Sequence, residues 1–100
     1  MTKRITIAVK EPGQAWRIVQ VEDSLPVLQK IVGGYIEGYT TDERGISYFC
    51  NDEGKLQHLE PNIPFGSDII CGPVFAVRSD EEGAFVSLTA WDQAWFLKEA

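Results

Sequence analysis

The sequence predicts an α+β fold, a mainly antiparallel sheet of five or six strands with two helices packed on it. Three observations support this prediction. Short segments of alternating, β-branched character recur along the chain with turn residues between them. Residues 25–32 instead carry leucine, isoleucine and valine at helical spacing. The aromatic residues of the last twelve positions also recur at helical spacing. The predicted order of elements is ββαββββα.

The first two predicted strands form a hairpin. Residues 5–9 (ITIAV) and 16–21 (WRIVQV) alternate in polarity, and the turn residues EPGQ lie between them. The following helix begins after Asp23 or Ser24, either of which can accept a hydrogen bond from a free amide of the first turn. Pro26 suits that turn because its missing N–H leaves no intrahelical bond unmade.

The segment LQKIVGGYIE (28–37) contains the change from helix to strand. Helical spacing ends at Val32 and strand character begins two residues after it, so Gly33 and Gly34 are predicted to end the helix. Residues 35–40 then form the third strand.

The middle of the chain has a less regular pattern. Residues 46–50 (ISYFC) form a strand that ends at the turn NDEGK, where Gly54 suits a left-handed conformation. Residues 55–68 are predicted to begin as a return strand and to end in a loop, because Pro61 and Pro64 each remove a backbone donor.

The last third contains the longest apolar run. Residues 69–78 (IICGPVFAVR) are predicted to form a central strand buried on both faces, with a bend or bulge at Gly72-Pro73. A turn leads to a strand at 84–88. Thr89 then begins the last helix, and Asp92 follows three residues later, as in a capping box.

The last helix carries two tryptophans, Trp91 and Trp95, near one side, and Phe96 broadens the apolar stripe. Such a stripe normally packs onto the sheet, which is the first interpretation. The alternative is a surface for a partner, since exposed aromatic patches commonly mark interfaces. A homodimer is one way to bury the excess.

Composition excludes several classes of protein. With 100 residues, 44% hydrophobic and 24% charged, residues 1–100 are predicted to form one ordered domain. The net charge of −6 argues against general affinity for nucleic acid. No apolar run approaches the ~18 residues of a membrane span, so we expect a cytoplasmic protein without a membrane partner. Cys50 and Cys71 lie in apolar runs, which favours free thiols over a disulfide.

The sequence indicates no catalytic residue, no metal site and no cofactor. A Cys–His pair with His58 would need a thiolate in electropositive surroundings, and neither cysteine has basic sequence neighbours. One histidine and two separated cysteines also lack the ligand spacing of zinc sites. A small hydrolase remains a lesser alternative, because Glu37, Glu53 and Asp68 could converge in the fold.

Polar residues in predicted loops are candidates for a ligand pocket. Loop side chains held by a rigid sheet are frequent binding elements, although turn hydrogen bonding explains many of them equally well. The predicted pocket consists of Tyr35, Glu37, Lys55, Asn62, Asp68 and Arg78, with Lys55 or Arg78 supplying positive charge.

Five segments of the chain, LQKIVGGYIE, NDEGK, EPN, DIICGP and FVSLT, together resemble an uncharacterised family of short proteins encoded largely by phages, plasmids and other mobile elements. The resemblance covers roughly residues 27–89. It implies a mobile-element accessory protein and brings no activity, cofactor or catalytic residue. Members usually have an acidic or amide residue early in the last helix, where this chain has Trp91 and Trp95.

These observations favour a non-catalytic binding protein over an enzyme. The first hypothesis is that Trp91 and Trp95 bind a host protein, in a way that could counteract host defence. An acidic chain would meet a basic partner faster through electrostatic complementarity. The alternative is sequestration of a small nucleotide-like signalling ligand, which needs a cationic pocket lined by aromatic residues.

Overall fold

The computed structural model describes residues 3–99, which form eight strands and two helices. The α+β class and the antiparallel sheet are as predicted, and the order of elements agrees with the prediction apart from extra short strands. The elements are β1 (Arg4–Lys10), β2 (Arg17–Glu22), α1 (Leu25–Val32), β3 (Ile36–Thr41), β4 (Ile46–Asn51), β5 (Pro61–Phe65), β6 (Asp68–Cys71), β7 (Val74–Ser79), β8 (Phe85–Val86) and α2 (Ala90–Glu99).

The main sheet has six antiparallel strands in the order β2-β1-β7-β4-β3, and the short β8 pairs with β7. β5 and β6 form a separate two-stranded sheet. Strand β7 lies at the centre, and all four residues from Val74 to Val77 are fully buried. Alternate side chains of a strand point to opposite faces, so β7 contributes to a core on each side of the sheet.

The two faces of the sheet carry different layers. Helix α1 covers one face through Leu28 and Val32, which pack with Phe75 and Val77 of β7. Helix α2 and the β5–β6 hairpin cover the other face. Their side chains pack with Tyr48 and with a buried set that consists of Ala8, Ile46, Cys50, Ile70, Val74, Ala76, Leu88 and Phe96.

Helix α1 has the predicted ends. The Ser24 hydroxyl accepts a hydrogen bond from the Val27 amide, and Pro26 lies in the first turn. Gly33 adopts the left-handed conformation with φ of 79°, and its amide donates to the Gln29 carbonyl. Because glycine has no Cβ, this conformation carries little strain there.

Three strand predictions are wrong in detail. Residues 61–65, predicted to lie in a loop, form β5, where both prolines are accommodated in a two-stranded sheet. Residues 52–58 form consecutive turns and no return strand, since the amides of Gln57 and Leu59 bond back to the carbonyls of Glu53 and Gly54. Residues 69–78 do not form one strand, because the backbone leaves the main sheet at Gly72-Pro73 and separates β6 from β7. The predicted bend was therefore located correctly, but it divides two sheets.

Gly54 does not adopt the predicted left-handed conformation, and glycine is needed there because the turn approaches the second sheet closely. A Cβ atom built on Gly54 would lie 2.4 Å from the carbonyl oxygen of Cys71, which no side chain can tolerate. The buried Asn51 side chain closes the same region, since its amide donates to the Val32 carbonyl and its oxygen accepts from the Glu53 amide. Segments far apart in sequence therefore meet at one end of the main sheet.

Neither helix among residues 3–99 has the length and apolar character needed to cross a membrane. Cys50 is buried, Cys71 is partly exposed, and both are free cysteines.

Candidate binding surface and cavities

Helix α2 begins with a complete capping box. The Thr89 hydroxyl accepts from the Asp92 amide, and the Asp92 carboxylate accepts from the Thr89 amide at 2.8 Å. The same carboxylate accepts two hydrogen bonds from Arg78 of β7, at 2.6 Å from Nε and 2.9 Å from Nη2. Arg78 lowers the pKa of the Asp92 carboxyl to about 2. This bidentate ion pair fixes the rotation of α2 on the sheet.

The rotation of α2 places its tryptophans outward. Asp92 and Phe96 point to the sheet, so Phe96 is fully buried while Trp91 is 87% exposed and Trp95 is 39% exposed. The prediction that the tryptophan stripe packs onto the sheet is therefore wrong for Trp91. Sequence periodicity predicted that the helix face with the tryptophans packs on the sheet. The ion pair of Asp92 with Arg78 instead turns the neighbouring face of α2 toward the sheet.

Arg44 covers the ring of Trp95. Its guanidinium carbon lies 3.6 Å from the Trp95 ring centroid, within the range of a cation–π contact. Arg44 also bonds to Asp42 at 2.8 Å, and Asp42 accepts a hydrogen bond from the Tyr48 hydroxyl at 3.0 Å. Burial, together with the bond to Asp42, raises the pKa of Tyr48 to about 12. The exposed edge of α2 is thus connected to the sheet by a polar network.

A cleft of about 320 Å³, here called the aromatic cleft, lies beside Trp95. Residues from β1, the β1–β2 turn, β4, β5 and α2 contribute to it, and four of its eight lining side chains are aromatic. The lining residues are Lys10, Trp16, Tyr48, Asn62, Ile63, Pro64, Phe65 and Trp95.

Asn62 connects the second sheet to the first at the floor of the aromatic cleft. Its amide donates to the carbonyls of Lys10 and Gly72, at 2.8 and 2.9 Å. Its side-chain oxygen accepts from Lys10 Nζ at 2.7 Å. Both amide hydrogens are therefore occupied by the backbone, which gives Asn62 a structural role in place of the predicted free ligand contact.

A second cavity, of about 140 Å³, contains three of the predicted pocket residues, Glu37, Lys55 and Asp68. Lys55 and Asp68 form an ion pair across it, and the Tyr39 hydroxyl donates to Asp68 at 3.0 Å. The bond from Lys55, supported by the Ile69 amide, lowers the pKa of Asp68 to about 2. This carboxyl is ionised at neutral pH and is not a general acid there.

The structure does not bring the six predicted pocket residues together. Tyr35 is 70% exposed directly before β3 and lines none of the cavities described here, and Arg78 is bonded to Asp92. Asn62 lines the aromatic cleft and not the cavity of Lys55. The pocket prediction joined residues that are near in motif order, whereas in the fold Asn62 bonds to Lys10 and Gly72, and Arg78 bonds to Asp92, away from the cavity of Glu37, Lys55 and Asp68.

The groups considered for hydrolysis and nucleophilic catalysis are also separated. Glu53 is exposed in the turn and does not line the cavity that contains Glu37 and Asp68. Burial raises the pKa of the Cys50 thiol to about 11, and Glu37 adds to this effect, so the thiolate is disfavoured at neutral pH. His58 is exposed in the turn with φ of 55°.

Comparison with known proteins identifies a family. The family model described as "Domain of unknown function (DUF3846)" matches residues 5–100. The chain belongs to this family. The expectation of an uncharacterised family is thereby confirmed. No curated protein and no solved structure shows a significant match to this DUF3846 chain.

Sequence reasoning missed six of the eight lining residues of the aromatic cleft in this DUF3846 chain, all of them except Asn62 and Trp95. Lys10, Trp16, Tyr48 and Phe65 come from segments that are at least six residues apart, and each has an ordinary strand or turn interpretation by itself. The available signal was Trp16, a large aromatic residue directly after the polar turn EPGQA. Its packing against Phe96, with ring centroids 4.7 Å apart, becomes visible only in the fold.

Proposed function

We propose that this chain is a non-catalytic accessory protein of a phage or other mobile element, and that it binds a host protein through the outward side of α2 and thereby counteracts host defence. The observation that carries the proposal is the 87% exposure of Trp91. A tryptophan in this position leaves most of a ~150–250 Å² side chain in water, which a partner can remove.

Trp91 is exposed because of how α2 packs on the sheet, and not because the beginning of the helix is unpacked. Asp92, the next residue, is buried and bonded to Arg78, and Phe96 is fully buried one turn later. Trp91 and Trp95 are four residues apart, so they lie on neighbouring positions of one helix side. Tryptophan is also among the residues that most often dominate the binding energy of an interface.

Charge indicates the kind of partner. The chain has a net charge of −6, and electrostatic complementarity accelerates association with a basic protein surface. We therefore expect an association rate that falls as salt concentration rises.

The test is affinity capture from cells of the natural host, followed by measurement with the purified captured protein. Trp91→Ala should raise the dissociation constant of that complex by about tenfold to thirtyfold or more, as for a hot-spot residue. Leu56→Ala is the matched control, because Leu56 is 76% exposed in the turn 52–58 and away from α2. Equal binding by the Trp91→Ala and wild-type chains would refute the proposal.

A homodimer would use the same surface and predicts a different result. Sedimentation of the purified chain at increasing concentration distinguishes the two cases. If a stable dimer forms and Trp91→Ala returns it to a monomer, the exposed tryptophan serves self-association, and the host-protein proposal is abandoned.

The alternative function, sequestration of a small nucleotide-like ligand, requires a cationic pocket lined by aromatic residues. The aromatic cleft supports this alternative better than the six residues predicted from sequence do, because it combines four aromatic side chains with Lys10.

A further inference from the structure

The aromatic cleft has the dimensions of a small-molecule site. Its volume of about 320 Å³ lies at the lower end of the ~300–1,000 Å³ of known ligand pockets. It is lined by Ile63, Pro64 and four aromatic residues, with few polar groups among them. That composition is typical of sites that bind an organic ligand by apolar contact and orient it by a small number of polar atoms.

The aromatic walls are held in place by their neighbours. The rings of Trp16 and Tyr48 have centroids 6.2 Å apart, and those of Tyr48 and Phe65 are 6.0 Å apart, both in edge-to-face geometry. Trp95 packs edge-to-face on the buried Phe96 with centroids 5.0 Å apart. Aromatic side chains fixed in this way offer π surfaces for stacking with little loss of conformational entropy on binding.

Lys10 gives the cleft a positive charge. Its ammonium group donates to Asn62 Oδ1 at 2.7 Å, and among the side chains of residues 3–98 no carboxylate lies at ion-pair distance from it. An amide oxygen does not neutralise an ammonium, which also keeps two further N–H donors. The cleft therefore has a local positive charge although the chain has a net charge of −6.

The same features disfavour a cationic ligand. Aromatic faces attract cations, but the ring of Trp95 is already covered by the Arg44 guanidinium, and Lys10 would repel a second positive charge. A ligand that joins an anion to a planar ring matches both the aromatic walls and the positive charge of the cleft, because the ring stacks on the walls while the anion contacts Lys10.

We infer that the aromatic cleft binds a planar aromatic ring that carries a negatively charged group, as in a nucleoside monophosphate. The ring contacts Trp16, Phe65 and Trp95, and Lys10 pairs with the anionic group. This site adjoins the proposed partner surface at Trp95, which lines the cleft, whereas Trp91 does not line it.

The experiment titrates the ¹⁵N-labelled chain with each of four probe molecules and measures their binding by NMR. Adenosine 5′-monophosphate has the ring and the anion, adenosine has the ring alone, inorganic phosphate has the anion alone, and phenyltrimethylammonium has a ring with a cation. We expect the monophosphate to bind most tightly and to shift the indole N–H signals of Trp16 and Trp95 and the side-chain amide of Asn62. The indole signal of Trp91 should stay in place.

Three lysine variants test the charge. Lys10→Met should weaken monophosphate binding by about tenfold, in line with the value of a hydrogen bond to a charged group, while Lys10→Arg should keep most of it. Lys30→Met is the matched control, since Lys30 is exposed on α1 across the sheet. Trp95→Ala supplies a second variant in case Lys10→Met fails to fold, and it should also weaken binding.

Several results would overturn the inference. These are the absence of monophosphate binding, equal binding of adenosine and the monophosphate, tighter binding of phenyltrimethylammonium, and signal shifts that map outside the cleft. Trp91→Ala should leave monophosphate binding unchanged, so failure of this inference and failure of the partner proposal are separate results.

Discussion

The ion pair between Arg78 and Asp92 should be a major source of stability, and Asp92→Asn tests it. The substitution preserves the shape of the side chain but removes its charge, which leaves Arg78 without its carboxylate partner. The Asp92 side chain is 5% exposed and that of Arg78 is 29% exposed, so the pair is largely shielded from water. Breaking a fully buried pair costs about 3–5 kcal/mol, and the partial hydration of Arg78 reduces this figure.

The pKa of Asp92 gives a second measure of the same effect. Lowering it from 3.8 to about 2 corresponds to roughly 2 kcal/mol at neutral pH. We therefore expect Asp92→Asn to lower the free energy of unfolding by about 2–3 kcal/mol, and the melting temperature by roughly 10 °C or more.

The pH dependence has a definite sign. The folded pKa of Asp92 is lower than the unfolded value, so the native state binds fewer protons and its advantage is present above pH 4. The advantage is lost as pH falls toward 2, and about half of it remains at pH 3. Asp68 has the same kind of shift, but it is present in both chains and cancels in the comparison.

The assay is urea unfolding of both chains at pH 7 and pH 3. The difference between wild type and Asp92→Asn should shrink by about half between these values. Glu81→Gln, an exposed change of charge in the turn before β8, is the control and should alter stability by less than about 0.5 kcal/mol. A loss of less than about 1 kcal/mol at pH 7, or a difference that is the same at both pH values, would refute the reasoning.

Three further predictions concern the region around the second sheet. Gly54→Ala should lower the free energy of unfolding by about 1–3 kcal/mol or more, because the new Cβ would press on the Cys71 carbonyl. Gly13→Ala is the control in the same chemical denaturation experiment. Its new Cβ meets open space at φ of 76°, so it should cost only about 1 kcal/mol. Cys50 should resist iodoacetamide at pH 8 in the native state and react after unfolding, as read by peptide mass spectrometry, since its pKa is raised to about 11. Rapid native labelling of Cys50 would contradict that burial. Asn62→Ala should cost about 2 kcal/mol, because the partly buried carbonyls of Lys10 and Gly72 lose their donors, and retention of wild-type stability in urea unfolding would argue against this structural role.

The sequence by itself determined much of the secondary structure. Ser24, Pro26 and Gly33 mark the ends of α1 because capping and the left-handed conformation depend on local chemistry. The capping box of Thr89 and Asp92 is local in the same sense. Strand alternation similarly predicted the first hairpin, and the continuous apolar run predicted the buried character of β7.

Only the tertiary structure decided how these elements face one another. The outward position of Trp91 depends on a pair between Arg78 and Asp92, fourteen residues apart, and periodicity along one helix carries no information about that partner. The aromatic cleft likewise joins Lys10 to Asn62, fifty-two residues later. Local propensities depend on neighbouring residues, whereas helix rotation and cavity lining depend on contacts between distant segments, which is why the candidate site could not be assembled from the sequence.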